Sequence, residues 1–432
     1  MKYVEVFLWG TRVGILSLED GMNIADFEYD RNFVDGAVRA GIELSPIKMP
    51  VSDRVYRFPD IGESFKGVPG LIADSLPDKF GNAVISSWLV SQGKSEADFN
   101  VIDRLCYTGK RGMGALEYVP ANGPDEDEKS LVDLDAMVQF ASEVLSNRER
   151  IKIKTDENLT YSQLLQLGTS AGGARAKAII AWNEDSGEIK SGQVDAGDGF
   201  DYWLLKFDGV SKNGDHNLED EPEYTLIEYS YYQMAVLAGV EMSECRLLRE
   251  NGRNHFMTKR FDRVNGDKLH MQTLGALAHL DYSFPALCSY EQAAMYMRQM
   301  DLTAKEIEQF FRRMVFNVIA VNQDDHVKNI SFLMNRKGKW SLSPAYDITF
   351  SYNPDNVWLK AHQMKINNKT TGITRDDLLA TGANMGIGTA KVKRIINEVN
   401  DAVSNWEQIA KDNGIRQKTI DAVSSVMLNS LG

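Results

Sequence analysis

Apolar residues along this chain recur at two periods, and the order in which the periods change sketches the fold. Val4, Val6 and Leu8 alternate toward Gly10, while Val13 and Ile15, then Leu16 and Leu18, form a second apolar run. Period-two alternation on both sides of Trp9-Gly10-Thr11-Arg12 predicts a hairpin. The change of face between Ile15 and Leu16 predicts a bulge there or a strand buried on both faces. Phe27 and Tyr29, then Leu44, Ile47 and Met49, read as further short strands, so the first stretch is expected to be mainly β. Ser75-Leu76-Pro77-Asp78 marks a helix start with proline just inside it, and Val84, Ile85, Trp88 and Leu89 would form its buried face. Residues 104–120 end in a strand, and the turn-forming, charged run 122–130 closes a first unit, placed at residues 1–125.

Beyond that run, the pattern predicts a helix near 131–145, then strands at 178–182 and 202–207. An acidic loop at 213–223 precedes a helix containing Glu228, Met234, Ala235 and Leu237, and 255–263 reads as a strand between two lobes. From there the period becomes helical. Thr303-x-x-Glu306 is a capping box ahead of Ile307, Phe310, Phe311, Met314, Val315, Val318 and Ile319. Thr374-x-x-Asp377 opens another helix, and Val392, Ile395, Ile396, Val399, Val403 and Trp406 mark a long amphipathic one. These stripes read as core. Units are placed at 131–259 and 260–432 after the first.

Composition narrows the function classes. A chain of 432 residues, 43% hydrophobic, has the material for two or three domains and is not disordered throughout. Its net charge of −13 argues against unaided binding to DNA or anionic membrane, which depends on Lys and Arg neutralising phosphates. Cys106, Cys245 and Cys288 form no CxxC, and the six histidines never pair at metal spacing, which predicts a reducing compartment and no structural zinc. No apolar run approaches the roughly 18 residues of a membrane span, and MKYVEVFLWG enters strand alternation directly. The expectation is a soluble, cytoplasmic protein.

The chemistry concentrates in residues 321–349, VNQDDHVKNISFLMNRKGKWSLSPAYDIT. Asp324-x4-Asn329 matches the spacing of a protein-kinase catalytic loop, in which the Asp takes the hydroxyl proton and the Asn holds Mg²⁺, and Asp347 follows the next hairpin as a second metal ligand would. A polar loop with Asp and Asn capping turns is the alternative; the hairpin and later Asp, in the right order, favour the site. Upstream, residues 168–177 place Ser170, Ala171, Gly172, Gly173 and Ala174 before Lys177. Small residues let backbone N–H groups approach phosphates, although such turns also arise for steric reasons. Lys206 interrupts an apolar strand, either as an edge gatekeeper or as a cation aimed into a cleft. Its order after the glycine-rich hairpin favours the cleft. Glu228 could hold Lys206, while a solvated helix carboxylate is the plainer reading. At Lys259 and Phe261, backbone groups and a ring could read an adenine, or Phe261 could pack in the core.

WGTRVG, LIADSLPDKFG, TSAGGARAK, KRFDR, NQDDHVKN and PAYDI, in this order, resemble the HipA family of bacterial toxin-antitoxin kinases over nearly the whole chain. The resemblance implies an α+β fold: a protein-kinase-like bilobal core, with a β-rich N lobe and an all-α C lobe, on an extra N-terminal β-rich subdomain. It further implies serine phosphorylation of a protein with ATP and Mg²⁺, the family's best-known target being glutamyl-tRNA synthetase, and a DNA-binding HipB-like antitoxin. Residue by residue, it makes Asp324 the base, Asn329 and Asp347 metal ligands, and Lys177 and Lys206 phosphate contacts. The Lys259 backbone and Phe261 become adenine contacts, His326 and Lys328 supporting residues of the catalytic loop, and Ser170 a self-phosphorylation site. Two other classes stay open: a kinase of a small molecule or lipid head group, and a non-catalytic co-repressor bound to an antitoxin on DNA.

Overall fold

The computed structural model describes residues 1–91, 93–95, 99–122, 134–146, 175–193, 195–210, 223–264 and 266–427. Strands β1 (Lys2–Leu8) and β2 (Thr11–Leu18) form an antiparallel hairpin that turns at Trp9 and Gly10, both at positive φ, as a two-residue turn requires. Its register slips at Val13, which lies between the Val6–Gly14 and Phe7–Arg12 pairs. The bulge therefore exists, two residues before the expected place, and it lets both Val13 and Leu16 turn inward. Strands β3 (Asp26–Tyr29), β4 (Val55–Tyr56) and β5 (Leu116–Val119) complete a sheet of order β4-β3-β2-β1-β5.

Three expectations fail in this region. Helix α1 (Arg31–Ala40) follows β3, entered through Asp30, whose side chain accepts from the Asn32 and Phe33 N–H groups, and ended by Gly41 at φ 66°. Residues 44–49 form turns rather than a strand, with Leu44 and Met49 buried nonetheless. Next come α2 (Gly70–Ala73), α3 (Lys79–Ser91) and α4 (Val101–Thr108). Asp78 Oδ1 accepts a 2.6 Å bond from the Gly81 N–H, so Asp78 caps α3 and Pro77 precedes the helix instead of lying inside it. Val84, Ile85 and Leu89 are buried as expected, while the Trp88 side chain lies outside the described residues.

Helix α5 (Leu134–Ser146) leads to a second antiparallel sheet of β6 (Lys177–Trp182), β7 (Ile189–Ser191), β8 (Asp201–Lys206), β9 (Cys245–Glu250) and β10 (Arg253–Lys259). Its order is β7-β6-β8-β10-β9, which makes β8 central. Apolar residues of α3 and α5 pack on one face of this sheet through Trp203, Leu205 and Met257. Helix α6 (Tyr224–Leu237) lies against β9 and β10.

Strands β11 (Arg263–Val264), β12 (Asp267–Lys268) and β13 (His270–Thr273) precede α7 (Leu274–Ala278), α8 (Tyr290–Gln299) and α9 (Ala304–Ile319). The reciprocal cap of Thr303 and Glu306 opens α9 as expected. β14 (Ser331–Met334) pairs with β13 on one side and β15 (Trp340–Leu342) on the other in a three-stranded sheet. That sheet corrects the all-α C lobe. Helices α10 (Arg375–Asn384), α11 (Thr389–Val403), α12 (Trp406–Asp412) and α13 (Gln417–Met427) end the chain, and Trp406 opens α12 rather than closing α11.

One continuous apolar core runs from Val4 to Val423, so the first sheet is packed into the helical part. Polar anchors reinforce the seam. The Asp262 carboxylate accepts from Arg260 at 2.7 Å, Arg263 at 2.8 Å and the Gly114 N–H at 2.7 Å, while Arg263 also donates to the Gly112 and Gly114 carbonyls. Burial alone would raise the Asp262 pKa, but the two guanidiniums hold it well below the carboxylate range. At Gly70 a Cβ would lie 2.0 Å from the Ala276 carbonyl, so only glycine permits this approach of α2 to α7.

Candidate active site

Helix α9 delivers the chain to the candidate catalytic loop through Val321 at φ 56°, a conformation β-branched residues rarely adopt. Ser351 holds it there: the Ser351 N–H donates to Val321 O at 3.1 Å, and the Gln323 N–H donates to Ser351 O at 3.0 Å. The next two carboxylates divide the work. Asp325, with a side chain 1% exposed, accepts from the Tyr290 hydroxyl at 2.8 Å, His362 Nδ1 at 3.0 Å and the Gln363 N–H at 2.7 Å. Asp324 keeps 42% of its side chain accessible. Anchoring one aspartate thus presents the other.

Asn329 Nδ2 donates to the Asp324 carbonyl at 2.9 Å, which turns its Oδ1 the other way. His326 Nε2 stands 3.7 Å from Asp324 Oδ1, and Lys328 Nζ lies 5.1 Å from the centre of the Tyr282 ring. Tyr346 donates to the Lys328 carbonyl at 2.7 Å, tying the residue before Asp347 to this loop. Asp347 itself has φ 54°.

Lys206, on the central strand, is no edge gatekeeper. Its Nζ contacts Glu228 Oε1 at 2.6 Å and Asp347 Oδ1 at 2.5 Å. Glu228 is buried, which overturns the solvated reading of that helix carboxylate. Burial would lower the Lys206 pKa, but Asp347 and then Glu228 raise it, so the lysine stays charged. Burial would likewise raise Asp347, yet Lys206 holds it well below the carboxylate range, with Lys177 and His326 adding to the effect. Glu228 goes the other way, because its burial outweighs Lys206.

Lys177 lies opposite Lys206 in the β6–β8 register, and its Nζ stands 3.2 Å from Asp78 Oδ2. Asp74 accepts from the Thr273 N–H at 2.7 Å and the Thr273 hydroxyl at 3.0 Å. Sequence reading missed Asp74, Asp78 and Asp325; for Asp325 the doubled Asp324-Asp325 was the available signal.

Lys259 uses its N–H on the Glu244 carbonyl at 2.8 Å and accepts from the Ser243 hydroxyl at 2.5 Å, leaving its carbonyl one lone pair. Its side chain pairs with Asp201. The Phe261 ring is half-buried, 5.6 Å from that of Tyr346. Ser170, Ala171, Gly172, Gly173 and Ala174 lie outside the described residues.

Magnesium takes oxygen ligands and commonly only one or two protein carboxylates, with phosphates and water completing its shell. Asp347 and Asn329 Oδ1 fit that donor set. Among the described residues no group of three or more His, Cys, Asp or Glu side chains is arranged to hold a metal, so the residues present suit an ion shared with phosphates better than a protein-only cage. Among those residues, too, no helix is long and apolar enough to cross a membrane.

Comparison with known proteins fits these observations. Residues 4–119 match the HipA N-terminal domain, and residues 169–406, more than half of the chain, match the HipA-like C-terminal domain. A Haemophilus influenzae protein described as a candidate kinase is 25% identical over 251 residues, covering 50% of this chain and 73% of that protein. The HipA structure from the Shewanella oneidensis complex of HipA, HipB and operator DNA superposes with a TM-score of 0.66 at 15% identity, over 99% of this chain and 96% of the other. At that identity the likeness is one of fold, a mixed α/β one.

Proposed function

The chain belongs to the HipA family, and on that premise we propose that it is an ATP-dependent kinase transferring a γ-phosphoryl group to a serine or threonine of a protein. The observation that carries the reading is the grip of buried Lys206 on Glu228 and Asp347, matching the lysine–glutamate pair and metal-side aspartate that protein kinases need together. In the proposed reaction the acceptor oxygen attacks the γ-phosphorus, its proton passes to Asp324, and the bond from that phosphorus to the ADP oxygen breaks. Magnesium, when bound, offsets phosphate charge; Asn329 and Asp347 are the residues that would hold it. Lys206 and Lys177 pair with the phosphates. The Phe261 face and its N–H, which has no hydrogen-bond partner among the described residues, suit the adenine. His326 and Lys328 supply loop geometry and positive charge beside Asp324, and Ser170 in the small-residue loop is the position for self-phosphorylation.

We further read the chain as the toxin of a type II toxin-antitoxin module, neutralised by a HipB-like antitoxin dimer and acting on a translation component such as glutamyl-tRNA synthetase. The Shewanella oneidensis relative supports this partner, since its structure holds HipB and operator DNA. A net charge of −13 favours DNA contact through the antitoxin and not through this chain alone. Incubation with labelled ATP, Mg²⁺ and a host lysate, followed by identification of the labelled protein, tests the reading. Transfer should appear with the native chain and fall by about 10²–10⁴-fold with Asp324→Asn; native-level transfer by that variant would overturn the assignment.

A further inference from the structure

Two carboxylates from the amino-terminal part of the chain lie near lysines of the candidate site and have no place in the machinery above. Asp78 Oδ2 stands 3.2 Å from Lys177 Nζ, with side chains 6% and 4% exposed. Four positions earlier, Asp74 is bonded to Thr273 at the start of α7 and feels the charge of Lys328. The segment between them therefore bridges the strand carrying Lys177 and the surroundings of the catalytic loop.

Register explains why Lys177 needs such a partner. Lys177 and Lys206 are directly opposed on adjacent antiparallel strands, where like charges on one face repel. Each lysine is buried, and burying a charge is costly unless it is paired. Lys206 has Glu228, a helix carboxylate. Asp78 stands to Lys177 as Glu228 stands to Lys206. Moreover, Asp78 is fixed: its Oδ1 caps α3 through the Gly81 N–H at 2.6 Å, and its carbonyl accepts from the Asn82 N–H and Nδ2, each at 2.8 Å. Its second oxygen is thereby offered at a set place, and a flexible four-carbon side chain is drawn to it.

We infer that Asp78 is a positioning residue that aims Lys177 at the nucleotide phosphates, so that the amino-terminal unit supplies a working part of the nucleotide site. This rests on the reading of Lys177 as a phosphate contact. Asp78→Asn in the full chain removes the charge and keeps the cap, because asparagine caps helices as well as aspartate. Affinity for Mg²⁺-ATP and melting temperature are measured for the native chain, Asp78→Asn, Lys177→Met and the double variant. The expected result is an Asp78→Asn affinity weakened about tenfold, a similar or larger loss in Lys177→Met, and no further loss in the double variant. If Lys177→Met binds weakly while Asp78→Asn binds like the native chain or more tightly, the inference falls and the role of Lys177 stands; a lowered melting temperature alone then marks a purely structural pair. If Lys177→Met also binds normally, the phosphate reading of Lys177 falls and takes the inference with it.

Discussion

Lys206 Nζ and Asp347 Oδ1 lie 2.5 Å apart although 141 positions separate them in the chain. Because the same ammonium holds Glu228, Lys206→Met would leave buried Glu228 unpaired and facing the half-buried carboxylate of Asp347. We expect a loss of about 3–5 kcal/mol of stability near neutral pH, measured by denaturant unfolding. The pH dependence should change sign. In the native chain Asp347 has a depressed pKa, so its contribution is full above about pH 4 and is lost as pH falls toward the folded value. In Lys206→Met the unpaired pair favours protonation, and mild acid should stabilise the variant.

Asp324 and Asp347 should separate by phenotype. Asp324→Asn should lower phosphoryl transfer by about 10²–10⁴-fold while sparing Mg²⁺-ATP affinity, since it removes only a proton acceptor. Asp347→Asn should lower both, because it takes away a charge that opposes the metal. Titration with a fluorescent nucleotide at fixed Mg²⁺ distinguishes them, and equal affinities would contradict the division.

Tyr290→Phe deletes one of the three donors to buried Asp325. The expected cost is about 1.5–3 kcal/mol, the range for hydrogen bonds to charged groups. Transfer should fall as well, because Asp325 steadies the loop that presents Asp324. A fall in melting temperature with unchanged transfer would show that the loop keeps its shape without this bond.

Acid should loosen the seam between the first sheet and the helical part. Burial pushes the pKa of His270 and of His279 down to about 4, and each bonds across that seam: His270 Nε2 donates to Leu44 O at 3.2 Å, and His279 Nε2 accepts from the Gly70 N–H at 3.1 Å. The unfolded chain binds these protons first, so stability is full above about pH 6.5 and falls progressively toward pH 4. For fully buried His270 the difference amounts to roughly 3 kcal/mol. His270→Gln should flatten the acid limb of a stability–pH curve; an unchanged slope would remove His270 as its source.

The candidate catalytic stretch stood out in the sequence because its signals are local. Asp324, Asn329, the β14–β15 hairpin and Asp347 lie within one short run, where spacing alone carries order. Glu228 did not, since burial depends on a lysine 22 positions away and on a sheet that the helix cannot announce. Helix α1 was hidden by brevity: Phe33, Val34 and Ala37 make its inner face within only ten residues, although Asp30 and Gly41 were readable as its caps. Residues 44–49 misled in the opposite way, with strand-like apolar spacing interrupted by Pro46, which disfavours a strand interior.

The Asp262 cluster bears on how such chains can change over evolutionary time. The two segments that match separate domain models, 4–119 and 169–406, share one set of buried charges: Gly112 and Gly114 of the first complete the ligation of Asp262, Arg260 and Arg263 of the second. A recombination event that exchanged either segment alone would leave Asp262 paired with Arg260 and Arg263 but disturb the Gly114 N–H and the Gly112 and Gly114 carbonyls that complete their bonding in a buried seam, a penalty of about 1–3 kcal/mol for each group left unpaired. Heirs of this chain should therefore inherit both segments as one block, and chimeras joined between them should fold only when residues 112–114 and 260–263 come from the same parent.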